Sequence, residues 1–287
     1  MARPEQVRGY PADRTEEQLL AHWEVERELA DRLRRASREE RTNLYGAVYD
    51  ELFRRVPDHP QHRWKADPDR PTSAARQAAL VRRFLPARGV FLEIGAGDCS
   101  LSLAIATQTK RVFAVEVSRE IAQVQGVPDN FELLITDGRE IPVAPATVDL
   151  AYSNQLIEHL HPDDAAEQVE QIFAALKPGG RYLCFSPNRL LGPADISKYF
   201  VDDAPRGFHL REYDNRELRS LFSQAGFAST EVVFRLSARI GTLPLAPFAF
   251  SEAAFEMLPP VSRRRLKHWK VVGKLLSPGG GVIARKS

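Results

Sequence analysis

The segment Phe91-Leu92-Glu93-Ile94-Gly95-Ala96-Gly97-Asp98 constrains this chain more than any other. An apolar run carries one acid and ends in two glycines, and residues 99–109 then show the apolar face of a helix. A strand that enters a glycine turn and leaves it as a helix brings bare backbone and a helix N-terminus to one point, an arrangement suited to an anionic or nucleotide-like ligand. The alternation continues along the chain. Strands are expected at 89–94, 111–116, 131–136, 148–152 and 181–185, with helices near 118–124, 155–160 and 163–176 among them. Such alternation predicts an α/β fold with a parallel sheet covered by helices on both faces.

The flanks follow other patterns. Thr15 with Gln18, and Ser37 with Glu40, match the reciprocal capping pattern that opens a helix, so helices are expected over 15–36 and 38–56. Leu44, Val48, Leu52 and Phe53 give the second a buried stripe. Residues 57–72 hold four prolines and no periodicity, which marks a linker or crossing loop. His59, His62 and Trp64 are unusual there, and Trp64 either folds over a pocket or packs as a plug. Asp214 and Glu217 open a helix that stops before Gly226, and strands follow at 230–234 and 281–285. The expected division is a helical extension, lid and linker over 1–72 and a sheet domain over 73–287. That domain carries insertions at about 186–213 and 236–279.

Composition narrows the class. Lys plus Arg is 40 and Asp plus Glu is 38, a net charge of +2, so no global positive field draws the chain to nucleic acid. The two cysteines, Cys99 and Cys184, match no metal finger and suit reduced thiols in the cytoplasm. The N-terminus is charged, without the apolar core of a signal peptide. The longest stretch free of charged residues, 240–251, has 12 residues, against about 20 for a membrane span.

Four further motifs complete a set with the first. Glu116 ends the strand RVFAVE, placed to accept both hydroxyls of a ribose. Asp137-Gly138 follows the third strand, where an acid can accept from an adenine amino group. Then come Val148-Asp149-Leu150-Ala151-Tyr152-Ser153-Asn154 with Gln155-Leu156-Ile157-Glu158-His159-Leu160, and the turn Leu176-Lys177-Pro178-Gly179-Gly180. In this order the five resemble the class I S-adenosylmethionine-dependent methyltransferases, over about residues 86–235 plus the last strand. The nearest likeness is to the bacterial group that methylates small molecules, lipids and sugars. The resemblance implies a Rossmann-like, seven-stranded, mostly parallel sheet and S-adenosylmethionine as cofactor, with S-adenosylhomocysteine as product. It implies that Glu93 holds the methionine amino group and that Gly95, Ala96 and Gly97 line the methionine by backbone. Glu116 would bind the ribose, Val117 would pack on the adenine, and Asp137 would meet the adenine amino group with Gly138 beside it. Asn154 and Gln155 would lie against the methionine and the sulfonium. One departure is that Cys99 stands where the family often has a third glycine. A dinucleotide dehydrogenase would want glycine at Ser100. A degenerate site is disfavoured by the intact Glu93, Glu116 and Asp137.

Two histidines are candidate catalytic groups: His159 just after the fourth strand, and His209 in Gly207-Phe208-His209-Leu210-Arg211-Glu212-Tyr213. A neutral imidazole there can take a proton from an attacking hydroxyl. Tyr199, Arg211 and Tyr213 are candidate substrate contacts, with Arg189 beside them. No metal is expected, and His161 with Asp163 and Asp164 looks like a helix cap. The expected reaction is O-methylation of a small acceptor under a roof made by the extension and the insertions. C- or N-methylation of a lipid or metabolite, and an RNA or protein methyltransferase, are the alternatives. The apolar run 243–250 is a pocket lining, a homodimer surface or core, and the basic run 263–270 meets a phosphate or lipid head group or is a solvated helix face.

Overall fold

The computed structural model describes residues 14–61, 69–200, 204–236 and 239–287. His62 and Trp64, singled out in the sequence, lie outside the described residues. The core is one sheet of β1 (Val90–Ile94), β2 (Arg111–Glu116), β3 (Phe131–Ile135), β4 (Val148–Asn154), β5 (Leu176–Phe185), β6 (Ser229–Leu236), β7 (Arg239–Pro244) and β8 (Gly281–Arg285). Their spatial order is β3-β2-β1-β4-β5-β8-β6-β7. The first five pair in parallel, while β8 runs antiparallel between β5 and β6, and β7 pairs antiparallel with β6. All five residues of β1 are buried, as a central strand covered on both faces requires. The chain leaves β1 towards β2 on one side and returns as β4 on the other. This reversal opens a crevice beyond the carboxyl ends of β1 and β4.

Helices cover both faces: α1 (Glu16–Arg35), α2 (Arg38–Arg55), α3 (Arg70–Val81), α4 (Ser100–Ala106), α5 (Pro162–Ala175), α6 (Asn215–Gln224), α7 (Ala246–Glu256), α8 (Pro260–Leu266) and α9 (Lys270–Leu276). The capping boxes at Thr15, Ser37 and Asp214 are all formed. Leu29, Leu33, Val48 and Leu52 of α1 and α2 join α5, α6 and one sheet face in one apolar cluster. Residues of α3 and α4 fill the other face. A buried ion pair fastens α2 to α5: Arg41 Nε and Nη2 donate to Asp164 at 2.6 and 3.0 Å, and the Tyr45 hydroxyl donates to the same carboxylate at 2.7 Å. So Asp164 is committed to this clamp, and His161 accepts from the Asp163 N–H as a cap.

Several expectations are corrected. The sheet has eight strands rather than seven, because Arg239–Pro244, inside the expected insertion, folds back on β6. No helix forms at 118–124; the segment is a turn and coil with one backbone bond from Ala122 to Ser118, and Gly126 and Pro128 follow at once. At 155–160 only a 3-10 turn, Ile157–His159, forms, because Gln155 takes a left-handed φ of +55°. Helix α3 starts inside the expected linker, with a proline in its first turn where a missing N–H is harmless. The run 243–250 does not line the cavity at the strand ends: Leu245 is buried, Phe248 and Ala249 pack on the core, and Phe250 is exposed. No helix among the described residues is long and apolar enough to cross a membrane.

Candidate active site

A cavity of about 480 Å³ opens at the carboxyl ends of β1, β2 and β4. Glu93, Gly95, Ala96, Gly97, Glu116, Val117, Gly138, Asn154 and Gln155 all line it, nine of the ten residues the sequence assigned to the cofactor. Gly95 has φ +70°, and a Cβ there would stand 3.1 Å from Leu156 Cδ1, so both turn and approach need glycine. Gly138 has φ +88°, and its missing side chain lets Tyr45 and Val117 come within 3.2 and 3.0 Å of where a Cβ would be. Thus the same glycine that shapes the cavity wall admits α2 against it.

The acids are already oriented. Glu93 is buried and accepts from both N–H and Oγ of Ser102 through Oε2, at 3.1 and 2.6 Å. Glu116 accepts from the N–H groups of Gly97, Val117 and Ser118 at 2.7, 2.8 and 3.1 Å. Burial pushes the Glu116 carboxyl above its usual range despite these bonds, and Asp50 on α2 pushes the same way. Asp137 does not line the cavity: its Oδ1 accepts from the N–H groups of Arg139 and Glu140 and closes the loop after β3, so Thr136 and Gly138 face the cavity instead. Cys99 is fully buried with φ +59°, and burial pushes its thiol up to about 12. A left-handed residue is required there, which accounts for the familiar glycine, and the thiol is a packed side chain.

The far end is walled by Tyr49, Phe53, Leu160 and His159. Tyr45, Tyr49 and Phe53 recur every fourth residue on α2. That aromatic spacing was the available signal for a helix face turned to a pocket, and it was passed over in favour of the aliphatic stripe. Ser73 and Gln77 of α3 also reach the cavity, from a segment read as linker and domain start. His159 faces the cavity with one edge, while burial holds its pKa down to about 3, so it is neutral. Its Nδ1 has no hydrogen-bond partner among the described residues.

His209 is not at the cavity. It lies behind His159, ring centroids 4.8 Å apart, with Nδ1 at 2.7 Å from Glu212 Oε1. Burial lowers its pKa, but Glu212, Glu158 and Asp195 raise it more, and the balance is upward. The three expected substrate contacts are elsewhere. Tyr199 packs against the cluster of Leu19, Trp23, Ile196 and Phe200. Arg211 is exposed, paired with Glu217 at 3.2 Å, and lies over the ring of the buried Tyr213. Arg211 and Tyr213 lie on the loop 207–213, which passes behind His159, and Tyr199 lies on the 3-10 turn Ile196–Tyr199. Arg189 likewise joins Asp214, Glu217 and Glu256 in an ion-pair network.

A glycine turn at a strand end, an acid at the end of the next strand and a cavity at the point where strand order reverses define a nucleotide-type cofactor site on an α/β sheet. The family profile for the methyltransferase domain matches residues 67–232, and the chain belongs to this family, the class I S-adenosylmethionine-dependent methyltransferases. A protein of Mycolicibacterium smegmatis named as an S-adenosylmethionine-dependent methyltransferase is 32% identical over 138 residues, 47% of this chain and 51% of that one. One from Mycobacterium tuberculosis is 31% identical over 157 residues, 53% and 54% of the two chains. The chain thus spans about half the length of these curated relatives. Among solved structures, a methyltransferase from Haloferax volcanii in complex with the Trm112 activator shares the fold, with TM-score 0.51 and 19% identity over 78% of this chain and 92% of that one.

Proposed function

We propose that this chain transfers the methyl group of S-adenosylmethionine to an oxygen of a small organic acceptor. The observation that carries this reading is the single cavity onto which nine dispersed residues converge at the strand ends. Its volume of about 480 Å³ is in the range of small-molecule sites. When bound, the cofactor supplies an activated methyl group on a sulfonium. Glu116 then accepts the ribose hydroxyls, Val117 packs on the base, and Gly95 to Gly97 lie along the methionine, whose amino group Glu93 orients. Asn154 and Gln155 would hold the sulfonium end, and His159 would lie on the methyl side. An acceptor oxygen held in line with the sulfonium would take the methyl group as the carbon–sulfur bond breaks, the electron pair staying on sulfur. The hydroxyl proton leaves towards the neutral imidazole at the far end. Alignment does most of the work, since the leaving group is already activated.

Helix α2 acts as the roof, with Tyr49 and Phe53 covering the acceptor's place and Tyr45 beside Gly138 and Val117. A roofed cavity suits a small acceptor and not a folded protein. Two buried free thiols suit a reducing, cytoplasmic setting. Calorimetric titration with S-adenosylmethionine, S-adenosylhomocysteine and NAD tests the reading. Micromolar binding of the first two and none of NAD is expected, followed by labelled-methyl transfer to members of a hydroxylated acceptor panel. Binding of NAD alone, or of none of the three, would overturn it.

A further inference from the structure

Glu158 is fully buried in the 3-10 turn behind the cavity, and neither of its carboxylate oxygens makes a well-formed hydrogen bond among the described residues, the Ser186 hydroxyl being the polar side chain beside it. A buried carboxylate left this way is costly unless something binds it. One ligand atom each from Glu158, His159 and His209 lie within 4.8 Å of one another. The Arg211 N–H to Glu158 carbonyl bond, 3.1 Å, holds the loop of His209 against this turn. Glu212 takes Nδ1 of His209, which leaves Nε2 for a ligand. A carboxylate behind an imidazole in this way fixes its tautomer and raises its basicity as a metal ligand. Nδ1 of His159 is likewise unpartnered and buried. Asp195 and Glu212 add negative charge around His209. Arg34 reaches the same loop, but its guanidinium is spent on the carbonyl oxygens of Arg206, Gly207 and His209.

A second group, His22, Glu26 and His59, has similar spacing and differs in the decisive respect. Arg14 lies 2.8 Å from His22 Nδ1, the other ring nitrogen is 2.6 Å from Glu26, and the second Glu26 oxygen accepts from the Phe208 N–H at 3.2 Å. Those atoms are taken, and a guanidinium beside them repels a cation.

We infer that Glu158, His159 and His209 hold a divalent first-row transition cation at the far wall of the cavity. Two imidazoles favour zinc over magnesium and calcium, and the carboxylate admits manganese as well. Bonds of about 2.0–2.2 Å require the side chains to close by roughly an ångström. Three protein ligands leave a position open beside His159, which faces the cavity. The cation's catalytic consequence rests on the methyltransferase reading; its binding does not. An acceptor hydroxyl on the open position would lose its proton to water near neutral pH, and the cation would take over the work of the imidazole.

The experiment is titration of the chelator-treated full chain with zinc, by calorimetry, and with manganese, by loss of the free-ion paramagnetic signal. One equivalent is expected to bind. Glu158→Gln and His209→Gln should each lower affinity at least a hundredfold, Glu212→Gln about 10–100-fold, and His59→Gln not at all. S-adenosylhomocysteine titration of the same samples shows that each variant is folded and tests the cofactor site separately. Absence of binding in the wild-type chain, or wild-type affinity in Glu158→Gln, would overturn the cation site while leaving the cofactor reading intact. Loss in His59→Gln with retention in the other variants would move the cation to the second group and equally overturn the assignment.

Discussion

At one end of the cavity, glycine backbone and two carboxylates stand on consecutive strand ends. At the other, aromatic side chains of α2 face a histidine whose neighbours come from a loop about fifty residues further on. The first end is fixed by local chain geometry: β1 runs into Gly95, and the Gly97 N–H already rests on Glu116. The second exists only once α2 is clamped to α5 and the loop 207–213 is drawn against Glu158. The glycine-and-acid end is therefore written in short motifs, whereas the aromatic end is written in tertiary packing.

The sharpest way to break this contrast is Asp164→Ala. It leaves Arg41 buried without its partner, and removing one member of a buried pair costs about 3–5 kcal/mol. Urea denaturation should show a loss of that size. A loss below about 1 kcal/mol, the worth of an exposed pair, would mean that α2 is not held by this clamp. At the other end, Glu116→Ala should leave stability nearer to wild type and weaken S-adenosylmethionine roughly a hundredfold, from two hydrogen bonds to a charged group at about 1.5 kcal/mol each. Unchanged affinity would remove the ribose from that position.

Acid separates the two ends further. Because the folded state raises the Glu116 pKa, mainly through burial, protonation of this group favours the folded state. Its contribution is present at low pH and is lost as pH rises through the raised value. Cofactor binding follows the opposite course, since a protonated Glu116 cannot accept from both hydroxyls. Affinity for S-adenosylhomocysteine should fall on acidification, beginning at a higher pH than for an ordinary carboxylate, and a flat profile would count against the raised carboxyl. The smallest effect is expected from Cys99→Gly. Relief of a left-handed backbone, about 1 kcal/mol, offsets the loss of a buried thiol of similar worth. Stability within about 1 kcal/mol of wild type and unchanged cofactor affinity are expected, and a large loss of affinity would give the thiol a role beyond packing.

The strands up to β5, the parallel sheet they build and nine residues that line the cavity were legible because apolar runs, glycines and strand-end acids carry their meaning within a few positions. Asp137 stands at the expected place but turns its carboxylate to the following N–H groups, a choice made by loop geometry that spacing does not encode. His159 and His209 were both marked, yet nothing local tells which faces the cavity and which stands behind. That depends on how residues 207–213 cross Glu158. Arg211 and Tyr213 stand away from the cavity for the same reason, and Tyr199 because the 3-10 turn Ile196–Tyr199 packs on α1. The hairpin strand β7 was hidden because proline and glycine within it resemble a loop, and only pairing with β6 makes it a strand.

The position of β8 also bears on how the chain acquires its shape. Gly281–Arg285 lies between β5 and β6, so until it arrives both of those strands are open edges and the β6–β7 hairpin has no seat in the sheet. The pairing of Phe185 with Gly281 closes a loop of nearly a hundred residues. Contacts that distant form late and slowly, and unpaired strand edges recruit other chains while they wait. Refolding should therefore have a slow final phase in which β8 docks, with yield falling as protein concentration rises. A cut placed before Gly281 would detach β8 and leave the five-stranded body and the β6–β7 hairpin in one fragment without the strand that joins them.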